Sequence, residues 1–309
     1  VYKPPARMRP VALVFSKHLS SSRVRWPKLQ DPHNMLGGHE IWNEVAGTLM
    51  PYAEAAHLPY LPRHLPTVLR SLLLWVSLQL LSSGLSNRLF PHSFSRMNGR
   101  SRRSWDAHVV SFMHSAVIVP FATYCWLVDT KGNDPLFGYS YFTGQVYAVS
   151  LGYFLWDMAF SLLYEGPAFL MHATLAAFAA LFTYWPFVQR SGLWFLLWEA
   201  STPFLNMHWF LDKLGKTGSR LQLVNAAFLL ASYVIVRLTL GVYFTGQLIF
   251  SLWNPEDQRV QDIPAMLRFF YSIGAPALTA LNYFWFYKMV ISVRKRFQAS
   301  TPPPKAKAT

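Results

Sequence analysis

Residues Gly152–Phe178 read GYFLWDMAFSLLYEGPAFLMHATLAAF. Two apolar runs meet at Glu165-Gly166-Pro167. Proline fixes its own φ and lacks the N–H a continuing helix needs, so it favours the first turn of a new helix. The spacing therefore predicts an antiparallel helical hairpin. A transmembrane helix takes roughly 20 mostly apolar residues, which both arms approach. Each arm also carries one ionisable group, Asp157 and His172. An acid at the centre of a bilayer costs a few kcal/mol on insertion scales, and such groups mark partners or functional sites.

Working outward, apolar runs of similar length recur at about 66–83, 106–128, 145–164, 167–187, 192–211, 219–250 and 265–292. With 52% of 309 residues hydrophobic and only 14% charged, the chain reads as an all-α polytopic membrane protein with seven transmembrane helices. Residues 1–65 are rich in proline and basic side chains and hold no long apolar run. They are expected to be amphipathic or partly disordered, without a signal peptide. Residues 66–292 form the transmembrane region, and 293–309 a basic tail.

The net charge of +14 does not point to nucleic acid, because the basic residues gather in tails and alternate loops. The loop NRLFPHSFSRMNGRSRRSWD carries five arginines, LDKLGKTGSR three basic residues, and the seventh run is followed by RKRF. DTKGNDPLFGYSYFTG and NPEDQRVQDIP are neutral or acidic. By the positive-inside rule the basic loops and the C-terminus face the cytosol and the N-terminus the other side. The ending KAKAT places Lys305 and Lys307 at the spacing of a dilysine retrieval signal, consistent with a multi-pass protein of the endoplasmic reticulum.

Helical spacing organises the intramembrane polar groups. Ser150, Tyr153, Asp157, Ser161 and Tyr164 repeat at a heptad-like interval and share one stripe. His108, Ser111 and Ser115 cluster on the second run with His114 beside them; His172 shares its face with the small residues Ala176, Ala179 and Thr183. Glu199, Thr202 and Asn206 surround Pro203 on the fifth run. At about 1.5 Å per residue, His114, Asp157, His172 and Asn206 all lie about 9–12 Å from the basic ends of their helices. That common depth predicts a chamber open toward the cytosol. Glu199 and Arg237 are deeper, at about 21 and 25 Å, and are expected to form an ion pair.

Other features read as structural. Cys125 lies inside a run and is expected to be a small buried hydrophobe. His108 reads as an interhelical hydrogen-bonding residue, and FTYWPF (182–187) as an interfacial aromatic belt. His39-Glu40 and Glu54 with His57 match no metal-ligand spacing, and HExxH, P-loop and G-x-S-x-G patterns are absent, so no metal is expected.

The motifs SWDAHVVSFMHS, GYFLWDM, FLMHATL and WEASTPFLNMHWFLDKLG, in this order, resemble the TLC-domain proteins of the endoplasmic reticulum, a group that includes the ceramide synthases. The resemblance covers about residues 87–292, and the E-x-STPF-x-N-x-x-W form is similar to the smaller TLC-domain branch. It implies six helices forming a barrel around a central chamber, with a further helix outside. Ceramide synthases carry an adjacent histidine pair in this region; His172 matches the first, but Ala173 replaces the second, and Glu199 stands where their aspartate-rich segment lies. The resemblance therefore implies acyl transfer from acyl-CoA with a lysophospholipid as acceptor in preference to a sphingoid base. A ceramide synthase-like N-acyltransferase and a non-catalytic lipid-binding or lipid-homeostasis protein are the alternatives.

In the enzyme reading the partners are a membrane lipid and a fatty acyl chain, and acyl-CoA is a substrate. His172 is the expected nucleophile or general base, Asp157 its orienting partner, His114 a second acid/base group and Asn206 a donor to the oxyanion. Arg96, Arg100, Arg102 and Arg103 are expected to attract the CoA phosphates. Ser111, Ser161, Glu199, Thr202 and Arg237 are expected to line or brace the chamber.

Overall fold

The structure, a computed structural model, describes residues 40–299. The N-terminal segment before residue 40, His39 of the His39-Glu40 pair and the Lys305/Lys307 tail motif lie outside the described residues. The described chain is helical throughout, with no strand. The helices are α1 (Glu40–Ala55), α2 (Leu61–Leu89), α3 (Gly99–Leu127), α4 (Tyr141–Tyr164) and α5 (Pro167–Phe182). After these come α6 (residues 189–213), which is interrupted, α7 (Arg220–Leu252) and α8 (Ala265–Ala299). A short helix, Pro91–Ser95, sits between α2 and α3.

Local sequence sets the boundaries. Asn98 caps α3 through the Ser101 N–H, Ser140 caps α4 through that of Thr143, and Ser219 caps α7 through that of Gln222. Pro167 opens α5 directly after Gly166. Near Pro203 the fifth run changes geometry. Gln189–Leu196 is α-helical, Leu197–Ser201 is a 3₁₀ turn, and Thr202–Lys213 returns to α. Proline removes one donor and crowds the carbonyl four residues back, here that of Glu199, which accounts for the break. In α7 the segment Val234–Thr239 widens to a π-helix.

Four helices, α2, α3, α4 and α7, are long and apolar enough to cross a membrane. The expected runs each correspond to a helix, but several bounds differ: α2 extends beyond 66–83 at both ends to Leu61–Leu89, and α3 begins at Gly99 in place of 106. α5 ends at Phe182, so it is only 16 residues long, and α8 continues past 292 to Ala299. The reason for the early end of α5 is local: 183–188 turns back, with Val188 in the left-handed region at φ 59°. The FTYWPF aromatics are therefore not an interfacial belt. Tyr184, Trp185 and Phe187 are buried against protein, and Tyr184 donates to the Gly144 carbonyl at 2.9 Å.

The distribution of side chains is inverted relative to a protein in water. Large apolar residues such as Leu73, Leu80 and Leu81 on α2, Leu162 and Leu163 on α4, and Phe228 and Ile235 on α7 point outward, whereas Ser71, Ser82, His114, Ser115 and Ser150 are buried. Lipid tails are as apolar as leucine, so association between helices relies on small residues and hydrogen bonds. Gly152 shows how close the helices come. A Cβ built there would lie 2.7 Å from the Val68 carbonyl oxygen and the Leu72 nitrogen of α2. Beside it Ser71 donates to the Val149 carbonyl (2.7 Å) and receives the Trp75 indole N–H (2.8 Å). Asp106 fastens α3 to α2 by accepting from Ser82 (2.5 Å) and Ser83 (2.6 Å). Arg190 closes the far end of α3, donating to the Cys125 (2.8 Å) and Trp126 (2.7 Å) carbonyls. Cys125 itself is a free, buried thiol.

Candidate functional site

A polar cluster and a cavity lie inside the bundle. The first is built around Arg237, held on the π-helical turn of α7. Its Nε donates to the Trp198 carbonyl (3.0 Å) and to Ser201 Oγ (2.9 Å), Nη1 to Asn282 Oδ1 (3.1 Å), and Nη2 to Thr202 Oγ1 (3.0 Å). Nη2 also lies 3.5 Å from Glu199 Oε1, so the expected ion pair is present, with both side chains below 10% exposed. The 3₁₀ turn before Pro203 brings Trp198, Glu199, Ser201 and Thr202 to one guanidinium. A buried charge is tolerated when paired and hydrogen-bonded, and the planar fork of arginine suits several acceptors at once.

The second is a slender, largely apolar cavity of about 70 Å³. Ala176, Ala179 and Ala180 of α5 face Gly274 and Ala275 of α8 across it, with Tyr147 and Phe154 of α4 and Phe195 and Trp198 of α6 completing the wall. His172, Glu199 and Thr183 are polar groups on it. The small-residue face of α5 thus forms one side of a void, and His172 is half-buried upon it. Aromatic edges frame the imidazole, Phe154 at 6.3 Å and 80°, Trp285 at 5.5 Å and 68°. Arg237 is close enough to act on it electrostatically.

The other expected site residues are distributed differently. No hydrogen bond joins Asp157 to His172 among the described residues. Asp157 is half-buried, with Ser161 one turn along its own helix and Glu199 as its electrostatic neighbour. His114 is fully buried, stacked on Tyr153 at 3.7 Å and 3° and met edge-on by Trp75 at 5.6 Å. Neither of its ring nitrogens has a hydrogen-bond partner among the described residues. Phe154 is the divider, edge-on to His114 at 5.9 Å as well as to His172. Asn206 is buried and donates to Ser111 Oγ at 3.1 Å, tying α6 to α3. The common depth therefore does not gather the four residues on one void: His172 lines the cavity, and His114, Asp157 and Asn206 are not among its lining residues.

The arginines of the α2–α3 segment also divide. Arg102 donates to the Met97 and Ser95 carbonyls, each at 3.1 Å, and lies over the Phe94 ring, which commits it to holding the short helix. Arg103 lies over the Tyr164 ring at 5.2 Å, and Arg100 acts on Glu165 at the α4–α5 turn. Arg96, Arg100 and Arg103 are exposed. His108 Nδ1 donates to the Ser104 carbonyl (2.7 Å), and the ring stacks on Trp209 at 4.1 Å, an interhelical contact.

Sequence reasoning missed the contribution of α8. Trp285, Gly274, Ala275 and Asn282 complete the cluster and the cavity, and a single clue was available: Gly274 and Ala275 stand beside Pro276 in an otherwise bulky run. Asp106, which opens the second apolar run, is buried too, and its sequence position gave no sign of it.

Residues 104–291 match the TLC domain family (TRAM_LAG1_CLN8). An uncharacterized TLC domain-containing protein of Schizosaccharomyces pombe is 35% identical over 249 residues, covering 80% of this chain and 84% of its own length. TLC domain-containing protein 4 of Homo sapiens is 26% identical over 208 residues, 63% of this chain and 76% of that one. Topoisomerase I damage affected protein 4 of Saccharomyces cerevisiae is 28% identical over 174 residues, 54% of this chain and 60% of that one. By the extent of both the domain match and the fission-yeast similarity, the chain belongs to the TLC-domain family.

Proposed function

We propose that this protein is an acyl-CoA-dependent lipid acyltransferase of the endoplasmic reticulum membrane, with a lysophospholipid as acceptor. In this reading the chain has seven spans and a cytosolic C-terminus, and α4, α5, α6 and α8 wall the cavity beside His172. The observation that carries this reading is the juxtaposition of an imidazole and a carboxylate, His172 and Glu199, on an apolar void walled by alanine and glycine. Such a void suits a hydrocarbon chain, and the imidazole stands where the chain's reactive end would be.

In this reading the free nitrogen of His172 attacks the thioester carbonyl carbon; the C–S bond breaks, and CoA leaves as a thiolate that takes up the proton the imidazole loses. The acceptor hydroxyl then attacks the acyl-imidazole, and its proton returns to the ring nitrogen as the C–N bond breaks. Glu199, oriented by Arg237, shares the cavity with His172 and takes the charge-stabilising role that spacing alone gave to Asp157. Asp157 acts on Glu199, and Ser111 with Asn206 braces α3 against α6. Exposed Arg96, Arg100 and Arg103 attract the CoA phosphates, Arg102 being occupied by backbone carbonyls. Removing general acid/base assistance costs about 10²–10⁴-fold.

A second reading, a protein that holds a lipid without reacting, is favoured by one specific observation: among the described residues no carboxylate hydrogen-bonds to His172, whose ring contacts are aromatic. Purified protein incubated with radiolabelled acyl-CoA and a panel of lysolipids and sphingoid bases separates the two. The enzyme reading expects transfer that His172→Ala abolishes and Glu199→Gln slows. Transfer surviving in His172→Ala removes the catalytic assignment, and no transfer to any acceptor leaves the lipid-holding reading.

A further inference from the structure

A second, larger cavity lies at the other end of the bundle, where α2 begins, α3 ends and α4 begins. It measures about 930 Å³, within the range of small-molecule sites. Its floor is the 128–140 loop, fixed by its own hydrogen bonds. Asp129 accepts from Ser140 and from Thr143 Oγ1 (2.8 Å). Asp134 accepts from the Leu136 (3.0 Å) and Phe137 (2.9 Å) N–H groups and is paired with Arg259. Gly138 admits no side chain, since a Cβ would lie 2.2 Å from the Gly132 carbonyl oxygen. The loop is therefore a built wall.

Two carboxylates and two cations line the cavity. Both carboxylates are already supplied with donors, whereas Lys131 is exposed and its ammonium makes no ion pair among the described residues. Arg63, half-buried at the start of α2, brings a second positive charge beside the Tyr60 and Tyr139 rings, which are stacked at 3.8 Å. Below this rim the outer surface is apolar and exposed: Phe121, Tyr124 and Phe142 form a contiguous aromatic strip where α3 meets α4. Two cations in an aromatic rim, continuous with an apolar strip at helix ends, match an amphiphile with an anionic head and a hydrocarbon tail. Arginine and lysine are the usual partners of phosphate oxygens, and aromatic side chains favour the headgroup level of a bilayer.

We infer that this cavity binds the phosphate of a glycerophospholipid, with Arg63 and Lys131 on the phosphate and the acyl chains along Phe121, Tyr124 and Phe142. The site is separate from the His172 cavity and does not depend on acyl transfer. Phosphatidic acid and diacylglycerol with the same chains differ only in the phosphate, so they form the decisive pair. Native mass spectrometry of the full-length protein in a mild detergent, titrated with each, is expected to show at least about tenfold stronger retention of phosphatidic acid. A charge-assisted contact to phosphate is worth about a factor of ten in affinity. Lys131→Gln, on an exposed loop residue with no ion pair to lose among the described residues, is expected to lower retention severalfold, and Arg63→Gln with Lys131→Gln about tenfold or more; His172→Ala is expected to leave it unchanged. Equal retention of the two lipids overturns the inference, as does retention of phosphatidic acid indifferent to both cation variants or lost in His172→Ala. Glycerol 3-phosphate that competes as strongly as the lipid overturns the lipid source and leaves a site for a soluble phosphate ester.

Discussion

Arg237 and His172 are both ionisable side chains inside the same helical bundle, within electrostatic reach of one another, and their surroundings differ in kind. The guanidinium has an oxygen acceptor for every nitrogen: the Trp198 carbonyl, Ser201, Thr202, Asn282 and the Glu199 carboxylate. The imidazole has aromatic edges and a void. A group enclosed by partners is committed to the fold. One facing a void, with its nitrogens uncommitted, is available to something that enters. The comparison separates structural from functional polarity among residues that look alike in sequence.

The strongest way to break that comparison is to remove the committed charge. Arg237→Met leaves Glu199 buried without its cation and removes the guanidinium donor from four other acceptors, of which the Trp198 carbonyl keeps Ser201 Oγ. The loss of one partner from a buried pair costs about 3–5 kcal/mol. Thermal unfolding in detergent is expected to show that loss, with a smaller loss when Glu199→Gln is added, because the orphaned carboxylate is then neutral. Equal destabilisation with and without Glu199→Gln would mean that the pair contributes nothing through its charge.

Next in size is the helix contact that the hairpin depends on. Gly152→Ala places a Cβ 2.7 Å from two backbone atoms of α2, which cannot rotate away as a side chain can. Overpacking of this kind costs about 1–3 kcal/mol. Gly274→Ala is the control: its Cβ would meet Leu175 Cδ2 at 3.4 Å, an ordinary contact, and its unfolding temperature is expected to stay near that of the parent. If both variants unfold alike, the close approach of α4 to α2 is not a stability determinant.

His172→Ala sharpens the same contrast from the other side. No hydrogen bond is lost, and removing an intramembrane ionisable group does not penalise insertion, so the stability change is expected to stay below about 1 kcal/mol, as for substitutions outside the committed networks. Transfer from acyl-CoA, in the proposed function, is lost at the same time. A His172→Ala protein that unfolds as readily as Arg237→Met would place the imidazole among the committed groups.

How far these differences could be read in advance follows from the physics of each. Helical runs, the Glu165-Gly166-Pro167 hairpin and the Glu199–Arg237 pair were legible, because period, proline and the cost of an unpaired charge act on the chain locally or leave few alternatives. The face of His172 with Ala176, Ala179 and Thr183 was legible for the same reason. The partner of His172 was not. Depth along a helix gives one coordinate, and whether two groups at one depth meet is decided by what surrounds each: the Phe154 ring stands edge-on to both His114 and His172, and Asp157 has Glu199 as its electrostatic neighbour. The turn of residues 183–188 into the protein was also hidden, since an aromatic run reads alike whether it faces headgroups or other helices.

The smallest effect is expected at the far end of the molecule, outside the spanning segments, where Arg259 joins Asp134 to Asp257. Burial pushes the Asp134 carboxyl up, but the Arg259 guanidinium and the Phe137 and Leu136 N–H groups outweigh it, and the net position is below the ordinary value of 3.8. At Asp257 the hydrogen bond from Arg259 is the largest cause of a shift in the same direction. A carboxyl with a lowered folded pKa contributes stability that is present above its unfolded value and lost as the pH falls through the folded one. Arg259 is 55% exposed, so solvent and salt screen the pairs and their contribution stays below about 1 kcal/mol. Protection of residues 128–140 from hydrogen exchange, taken relative to the intrinsic rate at the same pH, is therefore expected to fall below about pH 4, while the Arg237 and His172 regions keep theirs. Arg259→Gln is expected to lower the protection of 128–140 equally at neutral pH and to remove its acid dependence. If protection in 128–140 is unchanged through pH 3 in the parent protein, the loop is held by its backbone turn and the Ser140 and Thr143 contacts of Asp129 alone, and the Arg259 bridge is surface decoration.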